Sequence, residues 1–188
     1  MKRLILASNS PRRKDLLEKA GFSFEIISSN YEEKVFSSNP IEIAKTFAEG
    51  KASDVFNGLI DKEDVVVLGA DTVVCLEGQI LGKASSSENA KDILRKLSNK
   101  EHIVVTGCCL ISSDKKEIFY LESKVKFNNL NDEIIDNYIN SGLYKGKAGA
   151  YGIQDGFGLV ESFNGSLNNI IGLPIEELKP TILDALNK

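Results

Sequence analysis

Tryptophan is absent from this sequence, and histidine occurs once, as His102. One imidazole argues against a zinc site built on histidines, so His102 is read as structural. Cysteine is scarce as well: Cys75 and the adjacent Cys108 and Cys109 make an odd number with no C-x-x-C spacing. That pattern does not suggest a disulfide framework, and all three fall in apolar, strand-like runs where a free thiol behaves as a small hydrophobe. The expected setting is therefore a reducing one, with the protein soluble and cytoplasmic. No apolar run approaches the ~20 residues of a transmembrane helix. In "MKRLILASNS" the apolar stretch is only Leu4 to Ala7, too short for a signal peptide. Positive charge is not in excess either, with 23 Lys and Arg against 27 Asp and Glu. A net charge of −4 opposes sequence-independent binding to nucleic acid or an anionic membrane, and neither is expected as a partner. Two catalytic signatures are missing. There is no G-x-S-x-G elbow, and "LEGQILGKASSSE" fails the Walker spacing because Gly82 follows Gly78 too closely and Ala84 follows Lys83.

What is present is an alternation of apolar strand-like runs and amphipathic helical ones, 42% hydrophobic and 27% charged. The alternation predicts a single α/β domain over residues 1–188. A strand at Arg3–Ala7 leads into a helix with Ser10 as N-cap, Pro11 at its first position, Leu16 and Leu17 on its buried face and Gly21 past its end. "FSFEIISS" (Phe22–Ser29) reads as a second strand. A long helix starts at the Asn39 cap and Pro40, with an apolar stripe through Ile41, Ile43, Ala44, Phe47 and Ala48. "DVVVLGADTVVCLEGQILGK" reads as two apolar strands around a polar break, followed by a helix opened by a capping box of Ser85 and Glu88. A hairpin is expected to turn at Ser113–Lys116, a capped helix to end at Gly142, and a last helix to break at Pro180.

Six features bear on chemistry. Arg12 and Arg13 occupy the first turn of a helix, where exposed N–H groups favour acids and each cation costs about 0.3–1 kcal/mol unless compensated. A strand, a Ser-rich turn and a helix N-terminus offer N–H groups to an anion, and two guanidiniums there suit a bound polyanion better than solvent. Asp71 and Thr72 interrupt the apolar run Val65–Leu76; Asp71 either caps a bend after Gly69 or serves as a metal ligand or general base. Lys83, ahead of a capped helix, is a solvated charge or a phosphate partner. Lys51, on or beside the buried stripe of the Asn39 helix, either snorkels or turns inward. Glu32 and Glu33 follow the second strand as loop charges or acids of a site. Finally, eight of the fifteen glycines lie between Ser141 and Pro174, where Lys147 and Gln154 are the polar side chains best placed to use a backbone held close to a ligand.

In order along the chain, "LASNSPRRKDLL", "EEK", "GADTVV", "ILGK", "VTG", "KAGAYGIQ" and "NGS…GLP" resemble the Maf family of nucleoside triphosphate pyrophosphatases. The resemblance implies an α/β domain with an elongated mixed sheet flanked by helices, similar to inosine triphosphatases, and often a homodimer. It also implies metal-dependent cleavage of a nucleoside triphosphate between the α and β phosphates, giving monophosphate and pyrophosphate. On it, Asp71 matches the catalytic base or metal-binding acid, Glu33 a second acid, and Ser8, Ser10, Arg12, Arg13, Lys51 and Lys83 the phosphate-side residues. Arg12, Thr72 and Gln154 match the positions that separate the subgroups, here in the form acting on dTTP and UTP, with modified pyrimidine nucleotides as further candidates. Mg²⁺ or Mn²⁺ held by Glu33 and Asp71 is the implied cofactor. "LGKA" for the usual "LGKP", and the altered lead into "KAGAYG", depart from the pattern. The competing reading is a non-catalytic regulator of cell division that binds a nucleotide or a partner at the same anion site.

Overall fold

The computed structural model describes residues 2–187. Seven strands form one mixed sheet: β1 (Arg3–Leu6), β2 (Glu25–Ile26), β3 (Val65–Leu76), β4 (Gln79–Leu81), β5 (Glu101–Ile111), β6 (Lys116–Phe127) and β7 (Val160–Asn164). They lie in the order β2-β1-β3-β5-β6-β7, with β4 also on β3. β1 runs parallel to β2 and β3, and every other pairing is antiparallel. The helices are α1 (Pro11–Lys19), α2 (Pro40–Gly58), α3 (Ser87–Leu97), α4 (Asp132–Ser141), α5 (Leu167–Ile171) and α6 (Ile175–Asn187). The α/β class and the mixed sheet expected from the sequence are both present.

The two-residue period of a strand sends alternate side chains of β3 to opposite faces. Val66, Leu68 and Ala70 pack with Leu16 and Leu17 of α1 and Leu178, Ile182 and Leu186 of α6. Val65 and Val67 pack with Ala48, Ala52 and Val55 of α2. Burial on both faces explains the near-continuous apolar run. The α2 face is unusually close, because β3 and β5 present glycines to it. A Cβ on Gly69 would strike the Ala48 carbonyl, and one on Gly107 the Ala44 carbonyl. That intimate contact fixes Lys51, one turn beyond Phe47, directly over the middle of β3.

The sheet has a gap where it matters. β1 pairs with β3 only along Val65–Leu68, and β4 only along Val74–Leu76. From Gly69 to Val73, β3 has β5 on one side and, among the described residues, no strand on the other. Asp71 and Thr72 sit at that open edge, so neighbours facing opposite sides of the sheet both reach the space beside it.

Several local expectations are corrected. Asp71 caps no bend: β3 is one continuous strand, and the polar break falls at Glu77–Gly78, where both residues adopt positive φ to turn into β4. Phe22–Ser29 contributes only the two residues of β2 at the sheet edge. Ser10 is the N-cap of α1, but its hydroxyl makes no capping bond; instead the Ser8 hydroxyl accepts the Ser10 N–H at 3.2 Å. The box before α3 is displaced by one residue, with Ser86 accepting from Asn89 N–H at 3.0 Å. α6 runs through Pro180, held on either side of it by buried Leu178 and Ile182. The Asn39 cap and the Gly142 left-handed cap are as the sequence indicates, and the hairpin between β5 and β6 turns one residue earlier than expected, with Lys116 already in β6 and paired to Ile111.

Candidate active site

A cleft of about 570 Å³ opens beside the unpaired edge of β3, within the usual size range of small-ligand sites. Ser8 and Ser10 line it from the β1–α1 turn, Arg12 and Arg13 from the first turn of α1, and Lys51, Asp71, Thr72 and Lys83 from α2, β3 and the segment after β4. Gln154, exposed on a single 3-10 turn at Ile153–Asp155, lines it from the far side. Glu33 reaches the same place through its ion pairs to Lys51 and Lys83. All the sequence-derived site residues therefore converge, although they come from segments far apart in the chain.

The two arginines find their compensation in another helix. The Nε–H of Arg12 donates to the Ile171 carbonyl at 3.2 Å, and that of Arg13 to the Gly172 carbonyl at 2.8 Å. These carbonyls close α5, where unsatisfied C=O groups carry partial negative charge. The positive start of α1 and its arginines thus meet the negative end of α5. Arg13 also donates through its terminal nitrogens to Ser8 Oγ and Thr72 Oγ1, both at 3.1 Å. Among the described residues neither guanidinium is ion-paired; the acceptors are all neutral. Burial lowers both from their ordinary range, and their mutual repulsion lowers Arg12 further. Guanidinium remains charged under such shifts. Two half-buried cations without a contacting anion are costly by themselves and become favourable when one arrives.

Lys51 is the hub of the acidic side. Its Nζ lies 2.6 Å from Asp71 Oδ1 and 2.6 Å from Glu33 Oε1. Burial pushes the Asp71 carboxyl up from its usual range, while Lys51 and the field of Arg13 oppose the rise. Burial acts on Glu33 in the same sense, but there the Lys51 hydrogen bond and the charges of Lys51, Lys83 and Arg13 outweigh it, leaving Glu33 below the usual carboxylate range. Asp71 lines the cleft, and the contacts it makes among the described residues engage Oδ1.

Thr72 is more constrained than its position suggested. Thr106, directly opposite on β5, donates its one hydroxyl hydrogen to the Asn169 carbonyl. Its oxygen must then accept from Thr72 at 2.9 Å, and Thr72 accepts from Arg13. Thr72 can offer a ligand only an acceptor lone pair. Thr106 and Asn169 were missed from sequence; the signal was present in the strand register, which sets a polar residue across from Thr72. His102 lies away from the cleft lining, buried, its Nε2 2.7 Å from the Tyr151 hydroxyl.

The electrostatic sum is clear. Among the described residues, six cationic side chains line the cleft against one lining carboxylate, Asp71, with Glu33 paired to two of those cations, in a chain whose net charge is −4. The family profile described as Maf-like protein matches residues 3–185. A dTTP/UTP pyrophosphatase from Bacillus cereus is 45% identical over 180 residues, spanning 95% of this chain and 93% of its own. A dTTP/UTP pyrophosphatase from Ruminiclostridium cellulolyticum is 44% identical over 193 aligned positions, spanning 100% of this chain and 98% of its own. Among solved structures, a dITP/XTP pyrophosphatase from Mycobacterium abscessus aligns over 97% of this chain and 94% of its own, at 14% identity and a TM-score of 0.43, too loosely to argue from. On the family profile and these relatives, the chain belongs to the Maf-like protein family.

Proposed function

We propose that the chain hydrolyses dTTP and UTP to the nucleoside monophosphate and pyrophosphate. The observation that carries this is the cationic cleft at the open edge of β3, where unpaired Arg12 and Arg13 stand across from a lysine-bridged pair of carboxylates. Relatives named dTTP/UTP pyrophosphatase, matched along nearly their whole length, support the substrate class.

In this reading Arg12, Arg13, Lys83 and the hydroxyls of Ser8 and Ser10 grip the triphosphate. Thr72 holds Arg13 at its working angle rather than reading the base alone. Asp71 takes the proton from the attacking water through its carboxylate. The water oxygen bonds to the α-phosphorus, and the bond from that phosphorus to the bridging oxygen breaks. Pyrophosphate leaves with the bonding electrons. Fixed donors around the phosphates supply most of the rate, as phosphoryl chemistry demands. Gln154 pairs with the pyrimidine edge, an amide being able to donate and accept at once.

Glu33 and Asp71 fit a divalent cation in chemistry and proximity, since they are hard oxygen donors that one ammonium already bridges. No group of three or more His, Cys, Asp or Glu side chains placed to hold a metal ion occurs among the described residues, so the remaining ligands would be phosphate oxygens and water, as Mg²⁺ prefers. Bound there, Mg²⁺ or Mn²⁺ supplies charge neutralisation at the phosphates.

The test is a panel of normal and methylated nucleoside triphosphates with each metal, assayed for pyrophosphate. Release from dTTP and UTP above the purine nucleotides is expected. Tight binding with no release would replace this reading by the non-catalytic regulator. Gln154→Glu is expected to reorder the nucleotide preference.

A further inference from the structure

The glycine-rich segment after α4 contains a second buried ion pair that the phosphate-side chemistry does not use. Lys147 Nζ lies 2.5 Å from Asp155 Oδ2. The same oxygen accepts the Tyr138 hydroxyl at 2.7 Å and the Gly152 N–H at 3.0 Å. Three donors converging on one carboxylate oxygen fix its position tightly. The pair fills the space over Gly152, where a Cβ would meet Lys147 Nζ at 2.8 Å and Asp155 Oδ2 at 2.7 Å.

Lys147 is only 8% exposed, yet it lines the cleft, whereas Asp155 and Tyr138 do not. Among the described residues its ammonium has no partner besides Asp155, so two of its three N–H bonds remain to be used. Its charge differs from that of the other cations. Arg12 and Arg13 are unpaired and suit a polyanion, while Lys147 is neutralised by a carboxylate in contact. It offers hydrogen-bond donation with little net charge, which matches a neutral acceptor such as a carbonyl oxygen. The nearby lining is apolar and aromatic: Tyr151 from the same segment, with Val74, Val104 and Ile170, all in one core cluster. Such a wall suits a flat base.

We propose that Lys147 donates to an exocyclic carbonyl of the pyrimidine base, with Asp155 and Tyr138 as the positioning residues that aim it. This rests on the nucleotide reading above and extends it to the base side. Uracil and thymine carry two such carbonyls, and a donor-only group complements them.

The experiment measures binding by calorimetry of three probes: the non-hydrolysable α,β-methylene-UTP, ribose 5-triphosphate and inorganic tripolyphosphate. Lys147→Met should weaken the UTP analogue about 10-fold or more, the range of a lost hydrogen bond from a charged donor, and leave the two base-free probes within about 2-fold. Tyr138→Phe, which touches no ligand, should weaken only the UTP analogue, by about 2- to 10-fold. Equal losses on all three probes would make Lys147 a phosphate ligand or a merely structural residue and overturn the proposal, as would an unchanged UTP analogue. If Tyr138→Phe leaves every probe unchanged, the positioning role is overturned. Melting curves on each variant check folding. Because binding is read without turnover, wild-type protein that bound the UTP analogue but released no pyrophosphate from UTP would sink the hydrolase reading while leaving this one standing.

Discussion

Lys51→Met keeps the aliphatic stem and removes the one cation that bridges Glu33 and Asp71. Asp71 is 7% exposed, so the variant leaves a carboxylate buried with no contacting partner. Breaking a buried pair from one side costs about 3–5 kcal/mol. The Glu33 side chain is 32% exposed and can recover water, which sets the expected loss near the lower limit, about 3 kcal/mol. With a urea slope of about 2 kcal/mol per molar, the unfolding midpoint should fall by roughly 1.5 M. The loss also carries a pH signature. Burial already raises Asp71, and without Lys51 its folded pKa climbs further above the unfolded value. The unfolded chain then releases that proton first, so folding is penalised as pH rises through the window between the two values. Glu33 acts in the same direction. Its depressed pKa gives the wild type stability that is present above the unfolded value and lost as pH falls through the folded one, and the variant forfeits it. The gap between wild type and variant should be widest near neutrality and narrow steadily into the carboxylate range. Urea midpoints followed by circular dichroism across that range measure it. A second arm adds Asp71→Asn to Lys51→Met, which should restore much of the loss by removing the stranded charge. A pH-independent gap, or a double variant no more stable than the single one, would refute the assignment of Lys51 as internal counter-ion.

Asp71→Asn alone should lower turnover by about 10²-fold or more, the range of lost general-base catalysis, in a steady-state pyrophosphate assay. Near-normal turnover would remove Asp71 from proton transfer. The single His102 should titrate well below an ordinary imidazole, since burial pushes it down to about 4; one ring resonance followed by NMR reads this without assignment. Because that value lies below the unfolded one, stability should decline as pH falls through the interval between them. Gly107→Ala should cost about 1–3 kcal/mol, because the added methyl strikes the backbone of α2 at Ala44 and the neighbouring Lys45 N at 2.7 Å. Thermal unfolding measures it, and a neutral result would mean that α2 can shift away.

Where the sequence was legible, a local rule decided the structure. Asn39 before Pro40, and Gly142 after an amphipathic run, mark helix ends because their own side chain or lack of one satisfies the backbone. Where it misled, a contact from elsewhere overrode the local rule. Pro180 removes one N–H from α6, but Leu178, Ile182 and Leu186 dock the helix strongly enough to carry it through. Phe22–Ser29 has strand composition, yet only Glu25 and Ile26 pair with β1. The site was legible by residue type, since acids and paired arginines look misplaced where they stand. Their partners were not. Nothing near Arg12 and Arg13 in the chain announces the α5 carbonyls, and Asp71 looks like a bend because the one-sided edge of β3 is a property of register, invisible to periodicity. Lys51 looked ambiguous for the same reason: its inward turn depends on Gly69 and Gly107 drawing α2 close to the sheet.

The Arg13 guanidinium touches Ser8 near the beginning of the chain, Thr72 in its middle and Gly172 close to its end. A ribosome must therefore release the chain at least as far as Gly172 before this group finds its seat. Nascent and C-terminally truncated chains would present an arginine with no fixed direction, and ligand affinity should emerge in one late step rather than grow with length. In the proposed nucleotide reading, the side chain that greets the anion is also a rivet through three distant stretches of backbone, so occupancy of the cleft would report that the chain has been made and folded at least as far as Gly172.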